Sequence, residues 1–131
     1  MKPLQLIKEE FPSLFPEHFF FECGDGWYNI LYELVRKVYK ENERMRIYNR
    51  MRDEQGLEGI VYTPVKIVQI KEKWAGLRFY YNGGSEFVSG LVAMAEGMSY
   101  YTCEACGDPG TVNKGRWYRT RCETCKEKEP Q

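Results

Sequence analysis

Two cysteine pairs, Cys103-Glu104-Ala105-Cys106 and Cys122-Glu123-Thr124-Cys125, stand fifteen residues apart near the end of the chain and limit its fold more than any other stretch. A C-x2-C spacing lets one tight turn aim two thiolates at a single point. Two such turns supply the four soft ligands of a closed tetrahedral zinc site. With sulfur at every position no place is left for water, so the ion is expected to be structural Zn2+. Two disulfides, or four free thiols, are the alternative. The fifth cysteine, Cys23, makes the count odd and the first residues lack a secretory signal, so the spacing is read as zinc. Between the pairs, Thr111 to Thr120 forms two short β-type runs around Asn113-Lys114-Gly115. These are predicted to be a hairpin with a three-residue loop in which Gly115 takes the left-handed position. Gly107, directly after Cys106, is expected to supply the positive φ that turns backbone N–H groups toward the sulfurs. The unit reads as a small zinc ribbon.

Ahead of it, Pro3, Leu4, Ile7, Lys8 and Phe11 suit a short helix that Pro12 stops, and Phe11 to Pro16 reads as an extended apolar loop. Phe19 to Phe21 reads as a buried strand or loop. Asp25 is placed to cap a helix in which Trp27, Ile30, Leu31, Leu34, Val35 and Val38 repeat at helical spacing. Beyond Tyr39 the stripe thins to Met45, Tyr48 and Met51 among Lys40, Arg44, Arg46, Arg50 and Arg52, which predicts an exposed basic arm ending by Gly56, its charges solvated or paired along the helix. Val65 to Ile70 and Leu77 to Tyr81 predict an antiparallel hairpin whose turn spans Lys71 to Gly76, with Leu77, Phe79 and Tyr81 facing inward. Ser85 is expected to cap a second amphipathic helix carrying Phe87, Val88, Leu91, Val92, Ala95 and Met98 as one apolar stripe.

The fold class is therefore α+β: two amphipathic helices packed on a β-hairpin, with the ribbon docked at one end. The boundary is placed between a core domain, 1–99, and a ribbon unit, 100–131. Length of 131 residues and 43% hydrophobic content suffice for one buried core. Net charge is zero, which argues against a dedicated nucleic-acid binder. No apolar run approaches bilayer length, so no membrane is expected and the expected compartment is cytoplasm.

Three groups are candidate sites. Cys23 with His18, the single histidine, is weighed as a thiolate pair against a buried inert cysteine, and the latter is preferred, so no catalytic residue is assigned. On the hairpin, Lys71, Lys73 and Arg78 with Trp74 and Tyr80 gather three cations and two aromatics; arginine forks a phosphate and an aromatic face stacks a base. These five are the expected ligand-binding residues, against the plainer reading of an exposed strand face. On the ribbon, Arg116, Trp117, Tyr118, Arg119 and Arg121 interleave cations with aromatics as single-strand binders do. Six basic residues there face five acidic ones from Met98 onward, and four thiolates on Zn2+ add a formal −2, which weakens that reading.

The ordered set Cys23-Gly24-Asp25-Gly26-Trp27, Val68 to Tyr81 with its Lys71-Glu72-Lys73-Trp74-Ala75-Gly76-Leu77-Arg78 centre, Thr102 to Gly107, and Arg119 to Cys122 resembles a group of small uncharacterised proteins encoded by tailed phages and prophages. The likeness spans most of the chain and leaves out Lys40 to Arg52. The resemblance implies an accessory protein of the infected bacterial cytoplasm, of a kind that blocks or absorbs a component of host defence. The expected function is accordingly a non-enzymatic binding protein that sequesters a nucleotide-like signal or a host protein, working as a homodimer. A zinc-ribbon nucleic-acid-binding regulator is the alternative, and an enzyme acting on a nucleotide the third.

Overall fold

Leu31, Leu34, Val35 and Val38 recur every three or four residues, and this stripe becomes the inner face of the longest helix, buried throughout. A computed structural model describes residues 1–59 and 61–129. Its elements are α1 (Gln5–Glu10), α2 (Tyr28–Glu54), β1 (Lys66–Lys73), β2 (Gly76–Asn82), α3 (Glu86–Ser99), β3 (Thr111–Lys114), β4 (Tyr118–Arg121) and α4 (Glu123–Lys128), with 3-10 turns at Pro12–Leu14 and Asp25–Trp27. The class is α+β, as expected, with the two hairpins forming two separate two-stranded antiparallel sheets. Residues 130 and 131, placed by the sequence reading in the ribbon unit, lie outside the described residues. Among the described residues no helix is long and apolar enough to cross a membrane.

The core forms where α2, α3 and the inner face of the β1–β2 hairpin meet. Ile67, Ile70, Leu77 and Phe79 from the strands, Val88, Val92 and Ala95 from α3, and Leu4, Ile7 and Leu14 from the N-terminal segment are all buried there. Each edge of this small sheet is covered, which suppresses pairing with a foreign strand. On the β1 side the backbone of Glu22 bonds to Ile70 and Glu72. On the β2 side the N–H of Leu77 donates to Ser99 Oγ and that of Phe79 to Glu96 Oε2, both at 2.9 Å.

Several local expectations change. Asp25 sits one turn ahead of α2 and makes no side-chain cap there; its Oδ1 accepts from Leu4 N at 3.0 Å and so ties the N-terminal segment down. Ser85 occupies the N-cap position of α3, but its hydroxyl forms no capping bond. Pro12–Leu14 is a 3-10 turn where an extended loop was expected. The distal half of α2 is an arm on one face only. Asn42 is buried and clamps Val65 by two bonds, Nδ2 to the carbonyl at 3.1 Å and Oδ1 from the N–H at 2.7 Å, so a side chain does the work of a strand partner. Met45 is buried beside it. The outer face is paired as expected, Glu33 with Arg36 and Lys37 and Glu43 with Arg46, while Glu41 is buried and reaches the exposed Arg44.

The largest change is in the first hairpin. Its strands continue past the predicted ends, Lys73 pairs with Gly76, and the turn is the two residues Trp74 and Ala75. Both have positive φ, 54° and 74°, as a tight hairpin turn that follows the strand twist requires. Neither is glycine, asparagine or aspartate, so the conformation is strained and must be held from outside. Two bonds hold it: Ala75 N donates to Glu72 Oε2 at 2.9 Å, and Thr120 Oγ1 of β4 donates to the Ala75 carbonyl at 2.8 Å.

Candidate metal centre and adjoining cavity

The second hairpin pairs Thr111 with Arg121 and Lys114 with Tyr118, so its three-residue loop is Gly115-Arg116-Trp117. The loop lies two residues later than predicted, and Gly115 is not left-handed. Lys114 extends the strand, and the exposed loop tip carries Arg116 and Trp117. The α4 helix, absent from the sequence reading, starts at Cys122, whose sulfur accepts from Cys125 N at 3.4 Å and serves as its N-cap.

Strand ends and turns bring the four cysteine sulfurs within 4.8 Å of one another. A tetrahedral ion with metal–sulfur bonds of about 2.3 Å needs sulfurs about 3.8 Å apart. Cys106 and Cys122 Sγ are separated by 3.7 Å, and all five cysteines are free, so the disulfide alternative does not hold. Gly107 has φ 89°, as expected of the knuckle, and Asp108 N points at Cys106 Sγ at 3.5 Å. Burial works against ionising Cys103, but the N–H groups of Cys122, Cys106 and Ala105 outweigh it and bring the thiol down to about 7. Cys125 goes the other way, pushed up to about 12 by its bonds with the Cys122 and Cys106 sulfurs. Four crowded sulfurs do not all carry charge unless a cation sits among them, and the donor set fits a structural metal ion.

The centre is joined to the core through Glu104, which the sequence reading passed over. Its carbonyl accepts from Gly26 N at 2.8 Å, its Oε2 accepts from Gly24 N at 2.8 Å, and its Oε1 pairs with Arg121 Nη1 at 3.3 Å. Trp27, wholly buried, donates Nε1–H to the Thr102 carbonyl at 2.9 Å. The glycines of Gly24-Asp25-Gly26 are thus where ribbon backbone meets core backbone. The signal for it was a glycine pair flanking a polar residue ahead of a buried tryptophan.

The five hairpin residues proposed from the sequence are divided by the structure. Lys73 and Trp74 line a cavity of about 820 Å³ together with Arg116, Trp117, Tyr118, Arg119 and Arg121 of the ribbon. Lys71, Arg78 and Tyr80 are not part of its lining. Lys71 and Arg78 stand opposite each other in the strand register, and Tyr80 opposite Gln69. Arg78 Nη1 is engaged by the Leu77 carbonyl at 3.0 Å and by Tyr100 Oη at 3.1 Å, while the Tyr100 ring lies where a Cβ on Gly76 would be. In the cavity, Trp74 is 67% and Trp117 66% exposed, and Trp74 meets Tyr118 edge-on with ring centroids 5.8 Å apart. Two carboxylates, Glu72 and Glu104, also line it, but each is already bonded, to Ala75 N and to Gly24 N and Arg121. Arg119 and Arg121 are held by Glu129 at 2.6 and 2.5 Å. Among the described residues Lys73 and Arg116 have no acidic partner.

Cys23 and His18 form no site. His18 is exposed, and burial, with Glu104, Asp25, Glu72 and Glu22 nearby, pushes the Cys23 thiol up to about 12. Cys23 is therefore expected to resist iodoacetamide at pH 7 to 8 in the folded chain and to react only after denaturation; labelling of the metal-loaded protein, read by mass spectrometry, checks this. Fast modification of Cys23 in the native state would contradict it. No family model matches the chain, and no curated protein or solved structure does either.

Proposed function

We propose that the chain is a non-enzymatic binding protein in which Cys103, Cys106, Cys122 and Cys125 hold zinc as a structural ion and the adjoining cavity takes a nucleotide-like ligand. In the setting that the phage-protein resemblance implies, sequestering such a ligand would deprive a host defence system of its signal. Zinc is the metal best suited to four thiolates closing a tetrahedron. One observation carries the ligand: the cavity joins two aromatic side chains, Trp74 and Trp117, to two cations, Lys73 and Arg116, that have no acidic partner among the described residues. Aromatic faces stack any base and the cations meet its phosphate. The cavity volume lies within the roughly 300–1,000 Å³ of small-ligand sites. The nucleic-acid regulator is less well supported, because Arg119 and Arg121 already spend their charge on Glu129 and Glu104.

Titration calorimetry with adenosine 5′-monophosphate tests the reading. Trp74→Ala should weaken binding about 10- to 100-fold, the worth of one stacked base. Arg78→Ala should leave it within about twofold, since that guanidinium is turned toward Tyr100. Absence of heat at millimolar nucleotide, or a Trp74→Ala variant that binds like the parent, would remove the cavity from the function.

A further inference from the structure

A second cavity, of about 550 Å³, is lined by Lys114, Gly115 and Lys126 and shares Arg116, Trp117, Arg119 and Arg121 with the first. Its remaining cations, Lys114 and Lys126, have no acidic partner among the described residues, and its one carboxylate, Glu129, is bonded to Arg119 and Arg121. We infer that the two cavities form one site for two nucleotides joined by a phosphodiester, one base on the Trp74 side and one on the Lys114 and Lys126 side, with the bridging phosphate at the shared wall. The inference rests on the nucleotide reading above and names its ligand more closely.

Charge decides between one bridged ligand and two separate nucleotides. At the shared wall Arg116, Arg119 and Arg121 carry three positive charges against the two negative charges of Glu129 and Glu104, which pair with Arg119 and Arg121, a surplus of one that Arg116 supplies. Two phosphomonoesters side by side would bring roughly −3 to −4, at about −1.5 to −2 each, and would repel each other across that wall. A single phosphodiester brings −1 and needs no second counter-charge. Linking the bases also makes the second contact intramolecular, which raises affinity without any new residue. Trp117 is shared by both cavities and exposed, so it offers a ring to a base on either side.

The experiment compares adenosine 5′-monophosphate, the dinucleotide ApA and octaadenylate on the metal-loaded protein by titration calorimetry. ApA should bind at least tenfold more tightly than the monophosphate although it carries less charge, and the Lys114→Ala/Lys126→Ala double variant should abolish that gain while leaving monophosphate affinity within about twofold. Both lysines are exposed and off the core, so their replacement leaves the fold intact. Octaadenylate separates the sources of such a ligand: affinity no greater than its number of ApA registers assigns a free dinucleotide, and a further gain assigns a single strand. Equal affinity for the monophosphate and ApA, or a gain that survives the double substitution, overturns the two-nucleotide site and leaves the first cavity standing. If Trp74→Ala leaves the monophosphate untouched, the nucleotide reading itself fails.

Discussion

Removing the metal, by a strong chelator or by Cys122→Ser, will melt the ribbon and lower the stability of the whole chain by at least about 5 kcal/mol. Structural zinc sites of this kind supply roughly 10–16 kcal/mol of apparent binding free energy, and that energy is folding energy because the unfolded chain has no site. The ribbon has little else to hold it: β3 and β4 are four residues each, α4 is six, and the one fully buried apolar side chain among them and their turns is Cys103. Cys122 is the severest single change, since its sulfur serves both the metal and the N-terminus of α4. The effect should reach the core, because Thr102, Glu104 and Thr120 bond directly to Trp27, Gly24, Gly26 and Ala75. Thermal denaturation with and without chelator, beside metal analysis of the purified protein, reads it out. One zinc per chain and a strongly lowered midpoint are expected; a metal-free protein with the same midpoint would end the scaffolding role.

Gly26→Ala should be nearly as damaging, with a loss of more than about 4 kcal/mol or failure to fold, the range reserved for severe overpacking. The glycine is not needed for an unusual φ. A Cβ there would overlap the carbonyl oxygens of both Cys103 and Glu104, and these are backbone atoms fixed by the metal knuckle on one side and by Trp27 on the other. Neither partner can rotate away, and the Gly26 N–H to Glu104 bond would break with the shift. Gly90→Ala is the matched control: nothing lies near its Cβ, and in the middle of α3 alanine should be neutral or stabilising by about 0.5–1 kcal/mol. Chemical denaturation of both variants gives the comparison, and a Gly26→Ala protein as stable as its parent would show that the junction yields.

What could be seen in the sequence was what depends on near neighbours. The stripes of α2 and α3, the alternation of Leu77, Phe79 and Tyr81, and the two cysteine pairs each declare themselves within a few residues, and each appears in the fold, except that Phe87 and Met98 of the α3 stripe are exposed. What could not be seen depends on an approach from far along the chain. Asp25 looked like a helix cap because the helix is next to it, yet Leu4 takes its carboxylate. Asn42 lay in what looked like a solvated arm until Val65, just before β1, took both ends of its amide. The Trp74-Ala75 turn carries none of the residues that normally mark a tight turn, because Thr120, forty-five positions later, supplies what glycine would otherwise have supplied. For the same reason the proposed ligand set came apart. Lys73 and Trp74 are carried to the ribbon by that turn, while Arg78, three residues beyond it, is claimed by Tyr100.

The left-handed tip of the first hairpin carries a further implication. Its torsion is sustained by the hydroxyl of Thr120, on the strand that leads directly into Cys122, so the setting of the Trp74 indole depends on a segment forty-five residues further along the chain. The metal centre and the Trp74 tip are therefore one mechanical unit: whatever loosens the ribbon strand loosens the indole as well.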